Sequence, residues 1–161
     1  MLALLLAAAV PTVGCSTHVE GPPPSAAVRR AVARQSVSVH GATFMGLRNA
    51  VREDFERRGA QHVYKAGLGV TYGAPLHVKV ALRDRSWLAL DYVSGGEPSR
   101  ELRFEPCAPD TPRFSDDGVV GDETGWAGGF TVQRNGCATL LLRREGEKPW
   151  VRVRVGFGKR C

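Results

Sequence analysis

The stretch CATLLLRREGEKPWVRVRVGF, residues 137–157, decides the fold. Two alternating apolar runs flank the polar loop EGEK, residues 145–148, which is the signature of an antiparallel hairpin. One register makes both strands agree. Leu142 then faces Val151, Leu140 faces Val153 and Ala138 faces Val155, giving a single apolar face. Leu141, Thr139 and Arg143 meet Arg152, Arg154 and Trp150 on the other. A slip of one residue would turn every apolar side chain to water, so the pattern predicts a sheet with one covered face.

Working back from this hairpin, the chain repeats the same pattern. LHVKVALR puts Val78, Val80 and Leu82 on one face and His77, Lys79 and Ala81 on the other. WLALDYV sets Leu88, Leu90 and Tyr92 in phase, and RELRFEPC alternates Leu102 and Phe104 with Arg103 and Glu105. HVYKAGLGVTY and SVSVHGATFMGLR add further short strands, the latter broken around Gly41. YGAP and SGGEPS supply turns between these runs. One helix is expected near residues 50–58, capped by Asn49, with Leu47, Val51 and Phe55 on its inner side and Gly59 at its end. Many short strands and one short helix predict a mainly β chain: an antiparallel β-sandwich, immunoglobulin-like in general architecture.

The 161 residues suit one such domain with short extensions. The N-terminus predicts the extensions. MLALLLAAAV is entirely apolar but too short for a membrane helix, which needs about 20 apolar residues. It has the length of a signal-peptide core, and VPTVGC follows it. That junction resembles a bacterial lipobox, although Thr12 replaces the usual branched aliphatic and no Lys or Arg precedes the apolar run. The resemblance implies a lipoprotein signal peptide over residues 1–14 and a lipid on Cys15, and the missing basic residue before the apolar run suggests a translation start further upstream or assigned differently. A Pro-rich tether then covers residues 15–35, and the sandwich covers 36–161. SAAVRRAVAR within the tether could form two helical turns but is short for an independent helix.

With Cys15 lipidated, Cys107, Cys137 and Cys161 remain, enough for one disulfide and one free thiol. The register sets Cys137 opposite Gly156, so Cys161 can fold back onto it. Cys137–Cys161 is therefore expected, with Cys107–Cys137 as runner-up. The preference assumes that RELRFEPC neighbours GWAGGFTV.

Motifs for chemistry are sparse. There is no C-x-x-C, no H-x-x-x-H and no G-x-S-x-G, and His18, His40, His62 and His77 are scattered. Neither a metal, a cofactor nor a catalytic residue is assigned. GLGVTYG runs toward a strand and lacks phosphate-loop spacing. Asp110, Asp116, Asp117, Asp122 and Glu123 do not fit a calcium loop and read as a solvated segment. An enzyme, most plausibly an exported hydrolase of wall or glycan substrates, would need a pocket uniting Asp91, His77 or Glu101. The net charge of +6 directs attention to the basic residues instead. Arg143, Arg152 and Arg154, with Trp150 and Trp126, form the candidate interaction surface, since arginine beside an indole suits polyanions. For an exported protein these are anionic envelope polymers, a membrane or a partner protein, rather than nucleic acid.

LRFEPC, TGWAGGFTV, NGCATLLL and VRVGFGKRC, with TFMGLR and LHVKVAL, resemble a group of small secreted or lipid-anchored actinobacterial proteins. That resemblance implies a shared domain over residues 36–161 and supplies no activity or ligand. The expectation is a binding module at the cell envelope, held on the extracytoplasmic face of the membrane by Cys15 or secreted.

Overall fold

The final hairpin forms in the expected register. β11 (Gly136–Arg144) pairs antiparallel with β12 (Val151–Phe157), setting Leu142 opposite Val151, Leu140 opposite Val153 and Ala138 opposite Val155. The structure, a computed structural model, describes residues 9–17, 25–55, 61–114 and 118–161.

The hairpin lies at one side of a five-stranded sheet. β6 (Leu76–Val80) pairs with β11, β8 (Glu101–Phe104) with β6, and β1 (Thr12–Val13) lies parallel along β8. β2 (Val37–Val39), β3 (Ala42–Phe44), β5 (Leu68–Thr71) and β9 (Glu123–Trp126) form a four-stranded antiparallel sheet. β4 (His62–Lys65), β10 (Gly129–Val132) and β7 (Leu88–Asp91) form a third, of three strands. The chain is therefore mainly β, built from antiparallel sheets packed face to face like a sandwich.

Two turns show how local sequence sets this path. His40 and Gly41 both have positive φ, 53° and 75°, which matches the tight turn that joins β2 to β3. At Gly128, φ is 154°, and a Cβ there would strike the Tyr92 ring and the Asp91 carbonyl. The chain bends at this point from the four-stranded sheet into the three-stranded one.

The inner faces share one core, linked by aromatic rings. Phe130 of β10 lies 5.9 Å from Phe44 of β3 and 5.5 Å from Phe157 of β12, centroid to centroid. Tyr92 meets Phe104 edge-on at 5.6 Å, and its buried hydroxyl donates to the Ala66 carbonyl at 2.7 Å. Such rings contribute apolar burial plus edge-to-face attraction. The burial drives the Tyr92 phenol pKa upward.

Several expectations are corrected. The helix expected near residues 50–58 is a 3-10 helix, Leu47–Arg52, and it starts after left-handed Gly46 rather than at Asn49. Asn135 Oδ1 accepts from the Phe55 backbone N–H at 2.9 Å, holding extended chain where the helix would have continued. Phe55 still reaches the core, as its spacing requires; residues 56–60 lie outside the described part. The tether contains a true helix, α1 (Ala26–Gln35), whose Ser25 hydroxyl accepts from the Val28 N–H. RELRFEPC does not neighbour GWAGGFTV. β8 sits between β6 and β1, and GWAGGFTV divides between β9 and β10.

The largest correction is at the N-terminus. Thr12–Val13, expected within the signal peptide, is a strand whose Pro11 and Val13 carbonyls accept from the Arg103 and Glu105 N–H groups, both at 3.0 Å. Cys15 is joined to Cys107, with Cα atoms 4.8 Å apart. A thioether-linked lipid and a disulfide need the same sulfur, so the Cys15 sulfur expected to carry lipid is committed to Cys107. Cys137 is joined to Cys161, the pairing that the hairpin register favours. All four cysteines are paired, and the free thiol expected from an odd count does not arise.

Candidate functional site: a basic face around Trp150

The outer face of the five-stranded sheet is built by strict alternation. Register aligns Arg103, His77 and Arg143 in one row, and Glu101, Lys79, Leu141 and Arg152 in the next. Thr139 lies opposite Arg154 beyond them. The face is thereby divided in two.

Toward β8 the charges compensate. Arg103 Nε donates to Glu145 at 2.7 Å, and its guanidinium also pairs with Glu105. His77 lies 4.0 Å from Glu101 and 3.7 Å from Glu145. The hydrogen bond from Arg103 holds the Glu145 carboxyl below its ordinary range, with His77 adding to the effect.

Toward β12 they do not. Lys79 Nζ sits 3.8 Å from the centroid of the Trp150 ring and Arg143 Cζ 4.4 Å from it. Arg152 and Arg154 are exposed beside them. Among the described residues no carboxylate pairs with any of these four cations. The buried Arg143 Nε has no hydrogen-bond partner either. An indole attracts a cation through its quadrupole but supplies no counter-charge.

The structure thus brings together Arg143, Trp150, Arg152 and Arg154, and adds Lys79. Trp126 does not belong with them. It is 7% exposed, packs on Phe104 at 5.3 Å and donates its Nε1–H to the Gly14 carbonyl at 2.9 Å. Its place in β9 turns it inward next to Leu68, a core position. Lys79 was missed because only the adjacency of β6 and β11, distant in sequence, carries it to Trp150.

The residues weighed for catalysis are not united. His77 and Glu101 meet on the open outer face, whereas Asp91 ends β7 in another sheet. Asp91 lines a cavity of about 360 Å³ with Lys65, Tyr92 and Ser94, and neither His77 nor Glu101 reaches it. Among the described residues no group of three or more His, Cys, Asp or Glu is placed to hold a metal. Asp116 and Asp117 lie outside the described part. Glu123 belongs to β9, not to a loop.

No protein-family model, curated protein or solved structure matches this chain. Its function must be read from its own residues.

Proposed function

We propose that the protein is an extracytoplasmic binding module of the bacterial cell envelope, and that it holds anionic envelope polymers on the β12 side of its basic face. The observation that carries this reading is the pair Lys79 and Arg143 over Trp150 with Arg152 and Arg154 on the same face, four cations with no carboxylate partner among the described residues. Unpaired cations on a flat sheet suit a repeating polyanion better than a small ligand, because charge attracts at range without demanding a pocket. With two cations already on its ring, Trp150 positions charge; it is not the principal stacking platform.

The compartment is supported by two disulfides that use every cysteine, a pattern favoured where thiols are oxidised. Among the described residues no helix is long and apolar enough to cross a membrane. The resemblance to small secreted actinobacterial proteins is consistent with the same compartment.

Titration of long-chain polyphosphate into the purified protein tests the reading. Binding should weaken steeply with added salt. Replacing Lys79, Arg143, Arg152 and Arg154 together by alanine should reduce affinity by about tenfold or more, since each screened surface contact contributes up to about 1 kcal/mol. A folded quadruple variant that binds as wild type does would overturn it.

A further inference from the structure

A second candidate site lies where α1 and strands of the four-stranded sheet border one groove. Val28, Arg29, Val32 and Ala33 of the helix, with Ser36, Thr43, Met45 and Glu123, line a groove of about 360 Å³. Its walls are mostly apolar. Val28 and Val32 are large hydrophobic side chains left 49% and 37% exposed. Ser36 is satisfied, because its hydroxyl donates to the Val32 carbonyl at 2.7 Å.

The polar exception is Glu123. Its side chain lies across Gly69 of β5, in the space that a Cβ on that residue would fill. Gly125, in the same row, has open space where its Cβ would project. Among the described residues Glu123 has neither a hydrogen bond nor an ion pair. Arg29, on the same rim, is engaged, and not with Glu123. Glu123 remains exposed to solvent, and partial desolvation raises its carboxyl pKa.

A lone carboxylate at the end of an apolar groove is chemically selective. It lacks the further oxygens that a calcium or magnesium ion would need. It repels carboxylates and phosphates. What complements it is an organic cation with an apolar tail, since the head supplies the counter-charge that Glu123 lacks among the described residues and the tail covers the apolar walls.

We propose that this groove binds a small aliphatic ammonium, its charged head on the Glu123 carboxylate and its alkyl tail along Val28, Val32 and Met45. The site is separate from the basic face and does not depend on the polyanion reading.

Hexyltrimethylammonium is the probe, with hexanol and hexanoate as matched neutral and anionic controls, followed by calorimetry and by methyl NMR of Val28, Val32 and Met45. The ammonium should bind saturably and shift those methyls. Glu123→Gln should weaken it by about fivefold, the effect of losing one solvent-screened ion pair. Gly69→Ala, which displaces the carboxylate, should do the same. Binding should also weaken on acidification, as Glu123 takes up a proton. Equal binding of hexanol or hexanoate, full affinity in a folded Glu123→Gln protein, or no saturable binding of the ammonium would each overturn the proposal. The charge controls and the pH arm use wild-type protein, so they decide the matter even if a variant fails to fold.

Discussion

The two ends of the chain are each closed by a disulfide, and the two bonds do different work. Cys137–Cys161 spans 24 residues and ties a short tail to a hairpin already held by a long register of paired residues. Cys15–Cys107 spans 92 residues and secures a strand of only two residues, the one parallel pairing among the described strands. Among the described residues the segment around Cys15 is otherwise held by the Arg103 and Glu105 amides, by the Trp126 indole on the Gly14 carbonyl and by the Phe114 N–H on the Thr17 carbonyl. The contrast teaches that a crosslink matters most where local pairing is weakest. The hairpin would keep its register without its bond, whereas β1 depends on its own.

The sharpest way to break this comparison is to remove one exposed partner from each bond. In the chain-entropy model a longer closed loop restrains the unfolded chain more, giving about 4.6 kcal/mol for the Cys15 bond and about 3.4 kcal/mol for the Cys161 bond. Cys15→Ser should therefore lower the urea midpoint more than Cys161→Ser. The reverse order would mean that β1 contributes little to the folded state. Peptide mapping under non-reducing conditions checks the premise, since a Cys15 peptide that carries lipid and is not linked to Cys107 would remove it.

A local effect follows. In Cys15→Ser the Arg103 and Glu105 amides, which donate to Pro11 and Val13, should exchange with solvent far faster than in wild type. The amides between β11 and β12 should keep their protection. Hydrogen exchange with residue resolution reads both, and equal loss at the two ends would sink the distinction.

The smallest expected effect sharpens the hairpin side. Glu145, in the loop joining β11 and β12, has its carboxyl pKa lowered by Arg103 and His77. A depressed carboxylate contributes stability that is present above its unfolded value, about 4.3, and is lost as pH falls through the lower folded value. The stability gap between wild type and Glu145→Gln should be open at neutral pH and close on acidification. Urea midpoints taken across that range test it; a gap that widens toward acid would contradict the assignment.

Legibility in the sequence follows the distance over which residues interact. The β11–β12 register was readable because both strands lie within one hairpin, and each must turn its apolar set inward. The same alternation correctly placed Arg143, Arg152 and Arg154 outward. Trp126 defeated it: its strand is short and interrupted by Gly125, and the packing of Phe104 and the Gly14 carbonyl holds it inward. The acidic stretch read as solvated loop hid Glu123, whose setting depends on Gly69 of a different strand and on α1.

By itself the sequence determined the mainly β class, the register of the final hairpin and its basic outer face, and it favoured Cys137–Cys161 while leaving Cys107–Cys137 open. Those features rest on side-chain period and on neighbours near in the chain. Tertiary structure alone decided that β6 sits beside β11 and brings Lys79 to Trp150. It also decided that α1 borders a groove with Thr43, Met45 and Glu123 and that Cys15 meets Cys107 across 92 residues. The reason is physical. Alternation states which way a strand faces, but which strands become neighbours is chosen by the packing of the whole core, where contacts distant in sequence compete together.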